Sequence, residues 1–405
     1  MYKETTGGVT AAKGFKTAGV HCGVKAGRTK RDLGLIVADC DCVAAGVFTR
    51  NKVKASCVHL TMEHLKDNKA RAVVCNSGNA NACAPEGYEN ALRMAECTAK
   101  LVGCNPSDVI VCSTGVIGQR INIEAIEKGI PAAYALLSTD ANDDMCEAIL
   151  TTDTVKKEYA VTTQIDGQTV TVGGICKGSG MIHPNMGTML GFITTDVNIS
   201  EEMLQAALSE ITEATFNRVS VDGDTSTNDT CVVLASGKAG NVRITATGAA
   251  YDAFYTALYA VMLHLAKAIA KDGEGATKLI TCTIDGCATQ EKADNLTKSV
   301  ICSSLTKAAM FGADANWGRV LCAMGYSGEE FDPETVDVSF VSEAGVVDVC
   351  KDGKALNFDE DLAKKVLTES EIYIKITLKE GSYSGYAFGC DLTYDYVKIN
   401  GDYRT

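Results

Sequence analysis

The segment "KGSGMIHPNMGTMLGFITTD" (residues 177–196) places a threonine, Thr188, between a loop rich in glycine and methionine and an apolar run. A hydroxyl nucleophile needs a base, and none of the five histidines lies near a GxSxG motif of the serine hydrolase kind. A threonine at a chain terminus can instead use its own α-amino group, which titrates close to neutral pH. An internal threonine acquires that amine only if the peptide bond before it is cut.

The bond between Gly187 and Thr188 is suited to such a cut. Because glycine has no Cβ, the Thr188 hydroxyl can approach the Gly187 carbonyl closely, and glycine tolerates strained backbone angles. Attack by the hydroxyl would give an ester by an N→O acyl shift, and water would then release two chains. On spacing alone, an ordinary turn into a buried strand or helix is the more common explanation of "NMGTML". His183 could lie near the site, although a loop histidine is more often incidental.

Composition limits the function classes. The 405-residue chain is 46% hydrophobic and 22% charged, which is typical of a soluble globular protein with one large or two to three ordinary domains. Its formal net charge is -13 and no Lys/Arg cluster occurs, which argues against binding to nucleic acid or to an anionic membrane. No stretch approaches the length of a membrane-spanning helix, and the N-terminus lacks a signal peptide's apolar core. We therefore expect a cytoplasmic protein.

The 18 cysteines are scattered through apolar, strand-like runs such as "RAVVC" and "VIVCS", where cysteine behaves as a small hydrophobic residue. No CxxC pair occurs, and "CDC" at 40–42 has the wrong spacing for a zinc knuckle. The spacing of Asp222, Asp224 and Asp229 does not match a calcium loop, so we interpret them as turn and hydrogen-bonding residues. These patterns favour structural cysteines, with metal binding or redox chemistry of the cysteines as the alternative.

Strand and helix patterns alternate along the chain. The apolar positions with the period of a half-buried strand are Ile372, Ile374, Ile376 and Leu378 in one run and Val336, Val338 and Phe340 in another. The positions with helical spacing are Phe254, Leu258, Val261, Leu265 and Ile269. Residues 153–176 are predicted to form a hairpin that runs into the segment around Thr188. These patterns predict an α/β protein with partly antiparallel sheets.

The segment around Thr188 resembles the autoprocessing motif of ornithine acetyltransferase, the glutamate N-acetyltransferase of arginine biosynthesis. The resemblance covers almost the whole chain. The other matching segments, in order, are "GVTAAKGFKTAGVHCGVK" (8–25), "DLGLIVAD" (32–39), "AAGVFTRNKVKA" (44–55), "NSGNANAC" (76–83), "STGVIGQ" (113–119), "ILTTDT" (149–154), "FNRVSVDGDTSTNDT" (216–230), "KDGEGATK" (271–278), "FGADANWGRVLCAMGYSG" (311–328) and "GCDLTYDYVKINGDYRT" (389–405). The family more often has alanine at the position of Gly187 and a small residue at that of His183.

The resemblance implies that Thr188 is the nucleophile and the N-terminus of a β chain, residues 188–405, and that residues 1–187 form the α chain. It implies that the Thr114 hydroxyl and the Gly115 N–H form an oxyanion hole. The residues implied for substrate binding are Thr151, Lys177, Thr188, Glu274, Asn400 and Thr405. No metal and no cofactor are implied.

These implied roles agree with the chemistry of the side chains. Lys177 can pair with a substrate carboxylate and Glu274 with a substrate ammonium, and both acetylornithine and glutamate carry an amino-acid head. A chain terminus that serves a site must be docked, so we expect ordered structure around Asn400 and Thr405.

The resemblance also implies the architecture. The fold would be α/β, with layered mixed sheets flanked by helices, similar to that of autoprocessed aminopeptidases and ornithine acetyltransferase. The C-terminal part, roughly residues 280–405, would be a smaller α/β subdomain. Two α and two β chains would assemble into an α2β2 heterotetramer.

The implied reaction is ping-pong. Thr188 would take acetyl from N-acetylornithine and release ornithine, and glutamate would then leave as N-acetylglutamate. In a bifunctional enzyme, acetyl-CoA would also serve as an acetyl donor. One alternative is an autoprocessed aminopeptidase or amidase on the same scaffold, in which water resolves the acyl-enzyme. Another is a non-enzymatic amino-acid binding protein that is never cleaved.

Overall fold

The computed structural model describes residues 2–24, 27, 29–183 and 189–402. The strands, in chain order, are β1 (Lys3–Thr5), β2 (Phe15–Val20), β3 (Leu33–Phe48), β4 (Lys69–Asn76), β5 (Val109–Ser113), β6 (Lys157–Ile165), β7 (Gln168–Lys177), β8 (Leu190–Thr195), β9 (Val219–Ser220), β10 (Thr230–Ala235), β11 (Leu279–Cys287), β12 (Asp337–Ser342), β13 (Gly345–Lys351), β14 (Lys354–Ala355), β15 (Glu371–Thr377) and β16 (Tyr383–Cys390). The α-helices are α1 (Ser56–His64), α2 (Gly87–Val102), α3 (Ile123–Ala135), α4 (Asn142–Ile149), α5 (Glu201–Ala214), α6 (Ala249–Lys271), α7 (Gln290–Cys302), α8 (Ser304–Phe311), α9 (Trp317–Gly325), α10 (Glu360–Thr368) and α11 (Tyr394–Asp402).

The described residues divide into two compact units. The first unit contains the described residues up to 217 and residues 224–265, and the second contains residues 218–223 and 266–402. The boundary at residue 265 falls inside α6, so this helix contributes to both units.

The first unit is built on a mixed sheet, which has nine strands in the described part of the chain. Its order is β1-β6-β7-β8-β10-β3-β4-β5, and β2 pairs with β3. The pairs β8–β10 and β4–β5 are parallel, and the other pairs are antiparallel. β5, β7 and β8 matter for function because they lead into or out of the segments with predicted site residues.

Both faces of the sheet are buried in its central part, around β4. Along β4, Ala72 and Val74 belong to a cluster with the apolar side of α1, α2 and α3, whereas Val73 and Cys75 belong to a second cluster that includes α4. Because adjacent residues of a strand point to opposite faces, the apolar residues of β4 contribute to two separate hydrophobic cores. Cys75 and Cys112 are fully buried there, and burial raises the pKa of both thiols. The interpretation of these cysteines as small hydrophobic residues is confirmed.

The predicted hairpin is confirmed. β6 and β7 pair antiparallel from Lys157–Cys176 at the open end to Ile165–Gln168 at the turn. Asp166 and Gly167 connect the strands, both with positive φ, as tight hairpin turns require. At the open end of this hairpin, Lys157 on β6 therefore lies opposite Cys176, the neighbour of Lys177 on β7.

The second unit contains a mixed sheet in the order β14-β13-β12-β15-β11-β16-β9. The predicted strand alternations are confirmed, because their apolar positions lie in a single core of this unit together with the inner face of α7. Ile374 is fully buried, while Lys375 beside it is exposed. The two mixed sheets with flanking helices confirm the predicted α/β class.

α6 has the predicted apolar face, and Phe254, Leu258, Val261, Leu265 and Ile269 are all buried. However, its 23 residues are long and apolar enough to cross a membrane, so the prediction that no stretch reaches this length was wrong. A little over half (56%) of its most apolar 18-residue stretch is buried inside the fold. Core helices of soluble proteins can be equally long and apolar.

Candidate active site

The loop after β5 carries Thr114 and Gly115, both half-buried. The Thr114 N–H donates to the Asn76 carbonyl oxygen at 2.9 Å. Gly115 has a φ of 124°, and a Cβ at this position would lie 2.8 Å from the Gly78 carbonyl carbon. Only glycine fits a backbone of this conformation so close to another chain segment. The local structure therefore holds these two adjacent residues rigidly, as an oxyanion hole requires.

A buried amide network fixes this loop. Asn76 donates from Nδ2 to Ser113 Oγ at 2.8 Å, and its Oδ1 accepts from the N–H of Gly78 and of Asn79. Asn228 donates from Nδ2 to the carbonyl oxygen of Ser113 at 2.8 Å. Buried networks of this kind favour one arrangement of the backbone. The hydrogen bonds of Asn76 and Asn228 therefore hold Ser113, which precedes Thr114, in place.

The Asp153 carboxylate holds together the backbone of Thr151 and that of Gly178, the neighbour of Lys177, which the sequence did not indicate. Asp153 Oδ1 accepts from Lys157 Nζ at 2.8 Å and from the Gly178 N–H at 2.7 Å, and Oδ2 accepts from the Thr151 N–H at 3.1 Å. The side chains of Asp153 and Lys157 are 0% exposed.

Burial alone would raise the pKa of Asp153. The charges of Lys177 and Lys157, with hydrogen bonds from Lys157 and Gly178, outweigh burial and hold that pKa at about 2. Asp153 is therefore ionised at neutral pH beside two lysines.

The predicted cleavage site, Gly187 and Thr188, lies outside the described residues, as does Thr405. The described residues on both sides of 184–188 contact one segment. Thr225 pairs with Ile182, and its hydroxyl donates to the His183 carbonyl oxygen at 2.7 Å. On the other side, the Thr230 N–H donates to the Met189 carbonyl oxygen at 2.9 Å.

Asp229 lies beside Met189 and is fully buried. Burial raises its pKa well above the usual value, although Thr49, Ser226, the Lys177 charge and the Met189 N–H favour the ionised form. The interpretation of Asp229 as a hydrogen-bonding residue fits, but the sequence did not show that it is buried.

Two further predicted residues meet in the second unit. Asn400, on α11, donates from Nδ2 to Glu274 Oε2 at 2.7 Å and to the Tyr396 carbonyl oxygen at 3.1 Å. Glu274 follows α6 and is only 8% exposed. The expected ordered structure around Asn400 is confirmed. Within the described residues, no group of three or more His, Cys, Asp or Glu side chains could hold a metal ion.

Comparison with known proteins decides the family. The model of the ArgJ family matches residues 16–405. The chain belongs to the ArgJ family. It is 48% identical over 398 residues to arginine biosynthesis bifunctional protein ArgJ 1 of Clostridium acetobutylicum, covering 98% of this chain and 97% of that protein. It is 50% identical over 401 residues to the ArgJ protein of Symbiobacterium thermophilum, covering 98% and 99%.

Among solved structures, ArgJ from Bacillus halodurans is 48% identical, with a TM-score of 0.51. The match covers 53% of this chain and 100% of that chain. The resemblance to the acetyltransferase of arginine biosynthesis, stated from the motifs, is thus confirmed at the level of the ArgJ family.

Proposed function

We propose that this ArgJ chain is an acetyltransferase of arginine biosynthesis that moves acetyl from N2-acetylornithine to glutamate and gives ornithine and N-acetylglutamate. The observation that carries the proposal is the family match over residues 16–405, with relatives named arginine biosynthesis bifunctional protein at 48–50% identity. The constrained loop of Thr114 and Gly115 supports it, as do the hydrogen bonds from Thr151 and from Gly178, the neighbour of Lys177, to one carboxylate.

The first step of the proposal is self-cleavage. The Thr188 hydroxyl attacks the Gly187 carbonyl carbon, the peptide C–N bond breaks, and the proton of the hydroxyl passes to the freed nitrogen. Water then hydrolyses the ester, which leaves a carboxylate on Gly187 and an amine on Thr188. The Thr114 hydroxyl and the Gly115 N–H donate to the oxyanion, and each donor is worth roughly 3–4 kcal/mol.

The second step is acetyl transfer by the cleaved protein. The Thr188 amine takes the hydroxyl proton as the oxygen attacks the acetyl carbon, and it gives the proton to the departing ornithine nitrogen. The glutamate amine then attacks the acetyl-threonine ester, and the proton returns to the Thr188 oxygen. The acetyl group moves between two amines through the Thr188 ester, so the proposed reaction uses no cofactor.

The charged residues are proposed to recognise the substrates. Lys177 is 8% exposed and would pair with a substrate carboxylate, and Thr151 would hydrogen-bond nearby. Glu274, oriented by Asn400, would bind a substrate ammonium. Thr405 remains a proposed contact.

Both relatives are named bifunctional proteins of arginine biosynthesis. We therefore include acetyl-CoA as a second acetyl donor, whose thioester carbon would be attacked by Thr188 with release of the free thiol. Incubation of the protein with acetyl-CoA and glutamate, without acetylornithine, tests this activity. Formation of N-acetylglutamate supports it, and its absence in a protein that uses acetylornithine contradicts it.

An exchange assay with labelled glutamate and acetylornithine tests the main proposal. Label recovered in N-acetylglutamate, in amounts equal to the ornithine released, is the expected result. Free acetate without acetylglutamate would instead identify an amidase.

Assembly and location are part of the proposal. Cleavage would leave residues 1–187 and 188–405 associated, and two such pairs would form an α2β2 assembly in the cytoplasm. A native mass near twice the 42.7 kDa of the chain is expected.

A further inference from the structure

The buried side chains at the open end of the β6–β7 hairpin form a cluster with unusual charge. Lys157 on β6 and Lys177 at the end of β7 are 2% and 8% exposed, and Asp153 is the acidic residue on which the charges of both lysines act. Buried charges are costly unless they are paired and hydrogen-bonded. Asp153 forms an ion pair with Lys157 and is also stabilised by the charge of Lys177, so its position is strongly constrained.

The contacts of this carboxylate point toward the proposed substrate residues. Its Oδ2 accepts the N–H of Thr151, and its Oδ1 accepts the N–H of Gly178, the neighbour of Lys177. These two backbone contacts hydrogen-bond the buried carboxylate and also hold two chain segments together. Asp153 connects the backbone next to both proposed binding side chains, which lie on different segments of the chain.

We infer that Asp153 is a positioning residue for substrate binding, which fixes Thr151 and Lys177 relative to each other so that the Lys177 ammonium meets a substrate carboxylate. This inference rests on the proposed function, because Lys177 and Thr151 are substrate contacts only there. Asp153 itself does not touch the reacting atoms. Its loss should therefore act on recognition of the carboxylate rather than on the chemistry at Thr188.

The variant Asp153→Asn tests this inference. The amide keeps an acceptor oxygen but loses the negative charge and one of the charge-assisted hydrogen bonds. Because hydrogen bonds to charged groups contribute about 1.5–3 kcal/mol, kcat/KM for N-acetylornithine should fall by about tenfold or more, mainly through KM. The matched substrate is the α-carboxamide of N-acetylornithine, which lacks the negative charge. Its kcat/KM should change by no more than about twofold.

A second variant separates positioning from charge balance. Asp153→Asn removes the carboxylate that Lys157 contacts at 2.8 Å, and loss of one member of a buried ion pair destabilises proteins strongly. In the double variant Asp153→Asn, Lys157→Gln, one anion and one cation are removed together, so folding and self-cleavage should be retained. The preference for the carboxylate substrate over its carboxamide should still be reduced by about tenfold. Asp143→Asn, which removes an exposed ion pair with Lys156 at 3.2 Å, is the control and should leave the preference unchanged.

Each outcome bears on the inference. An unchanged preference in both Asp153 variants would show that Asp153 only balances Lys157, and would overturn the inference. Failure of the double variant to fold would overturn it as well, because the carboxylate would then serve the fold itself. Absence of acetyl transfer in the wild type would contradict the proposed function instead, so the two failures are distinguishable.

Discussion

At the scale of single residues, Thr114 offers the most direct test of a shared oxyanion hole. Its backbone is fixed by the hydrogen bond to Asn76, so truncation of the side chain removes a donor without moving the loop. Thr114→Ala should slow self-cleavage and acetyl transfer together, each by about 10²-fold, since both pass through a tetrahedral intermediate. Gel analysis of precursor decay and the labelled-glutamate assay measure the two rates.

Thr114→Ser is the control, because it restores the hydroxyl and should recover most of both rates. If Thr114→Ala slowed only one of the two reactions, the idea that one hole serves both would be wrong.

The low pKa of Asp153 leads to a second prediction, which concerns the pH dependence of stability. Its pKa is about 2 in the folded chain, below the usual value of 3.8, so the folded state favours the ionised form. This contribution, about 2 kcal/mol, is fully present above pH 4 and is lost as the pH falls toward 2. The difference in unfolding free energy between a protein with Asp153 and its Asp153→Asn variant should therefore shrink over that range.

Urea unfolding of both proteins at pH 7 and at pH 2.5 measures this difference. The uncleaved Thr188→Ala background is suitable, because a single chain unfolds. An equal difference at both pH values would mean that Asp153 gains no stability from being ionised.

At the scale of elements, the segment from Thr225 to Thr230 contacts the described residues on both sides of residues 184–188, which contain the predicted cleavage site. We expect Thr225→Val to slow self-cleavage by between about twofold and tenfold, because it removes the hydrogen bond to His183 and keeps the side-chain shape. Transfer by the cleaved fraction should stay unchanged. Precursor decay followed on gels, with Thr225→Ser as the rescuing control, measures the effect. A fall in turnover of cleaved protein would assign Thr225 a different role.

Periodicity predicted the elements well where one face is buried. The alternation around Ile374 and the helical spacing around Leu258 follow from burial of every second residue or of one helix face. Periodicity says nothing about which segments meet across the fold. For this reason "ILTTDT" and "VDGDTSTNDT" did not reveal that Asp153 and Asp229 are buried, or that Thr225 contacts His183.

The candidate site was predicted by family resemblance rather than by physical argument. Spacing alone favoured an ordinary turn at Thr188, since a glycine-threonine pair occurs in many loops. What the residues did supply was the requirement for a base and a reason for glycine before the threonine. The sequence did not explain why glycine is required at position 115. Gly115 has a positive φ and lies close to Gly78, and this approach is seen only in the folded structure.

At the scale of the whole molecule, the proposed mechanism depends on how many chain ends the protein has. A protein whose nucleophile is an internal threonine must gain a second N-terminus before it can transfer acetyl. N-terminal sequencing of the purified wild type and of Thr188→Ala, combined with the labelled-glutamate assay on both, is the most direct measurement. The proposed mechanism predicts that the wild type shows a second N-terminal sequence beginning Thr-Met-Leu-Gly and transfers acetyl. The Thr188→Ala variant should show one N-terminus and no acetyl transfer. A wild-type protein that remains a single chain and still transfers acetyl at full rate would contradict the proposed mechanism.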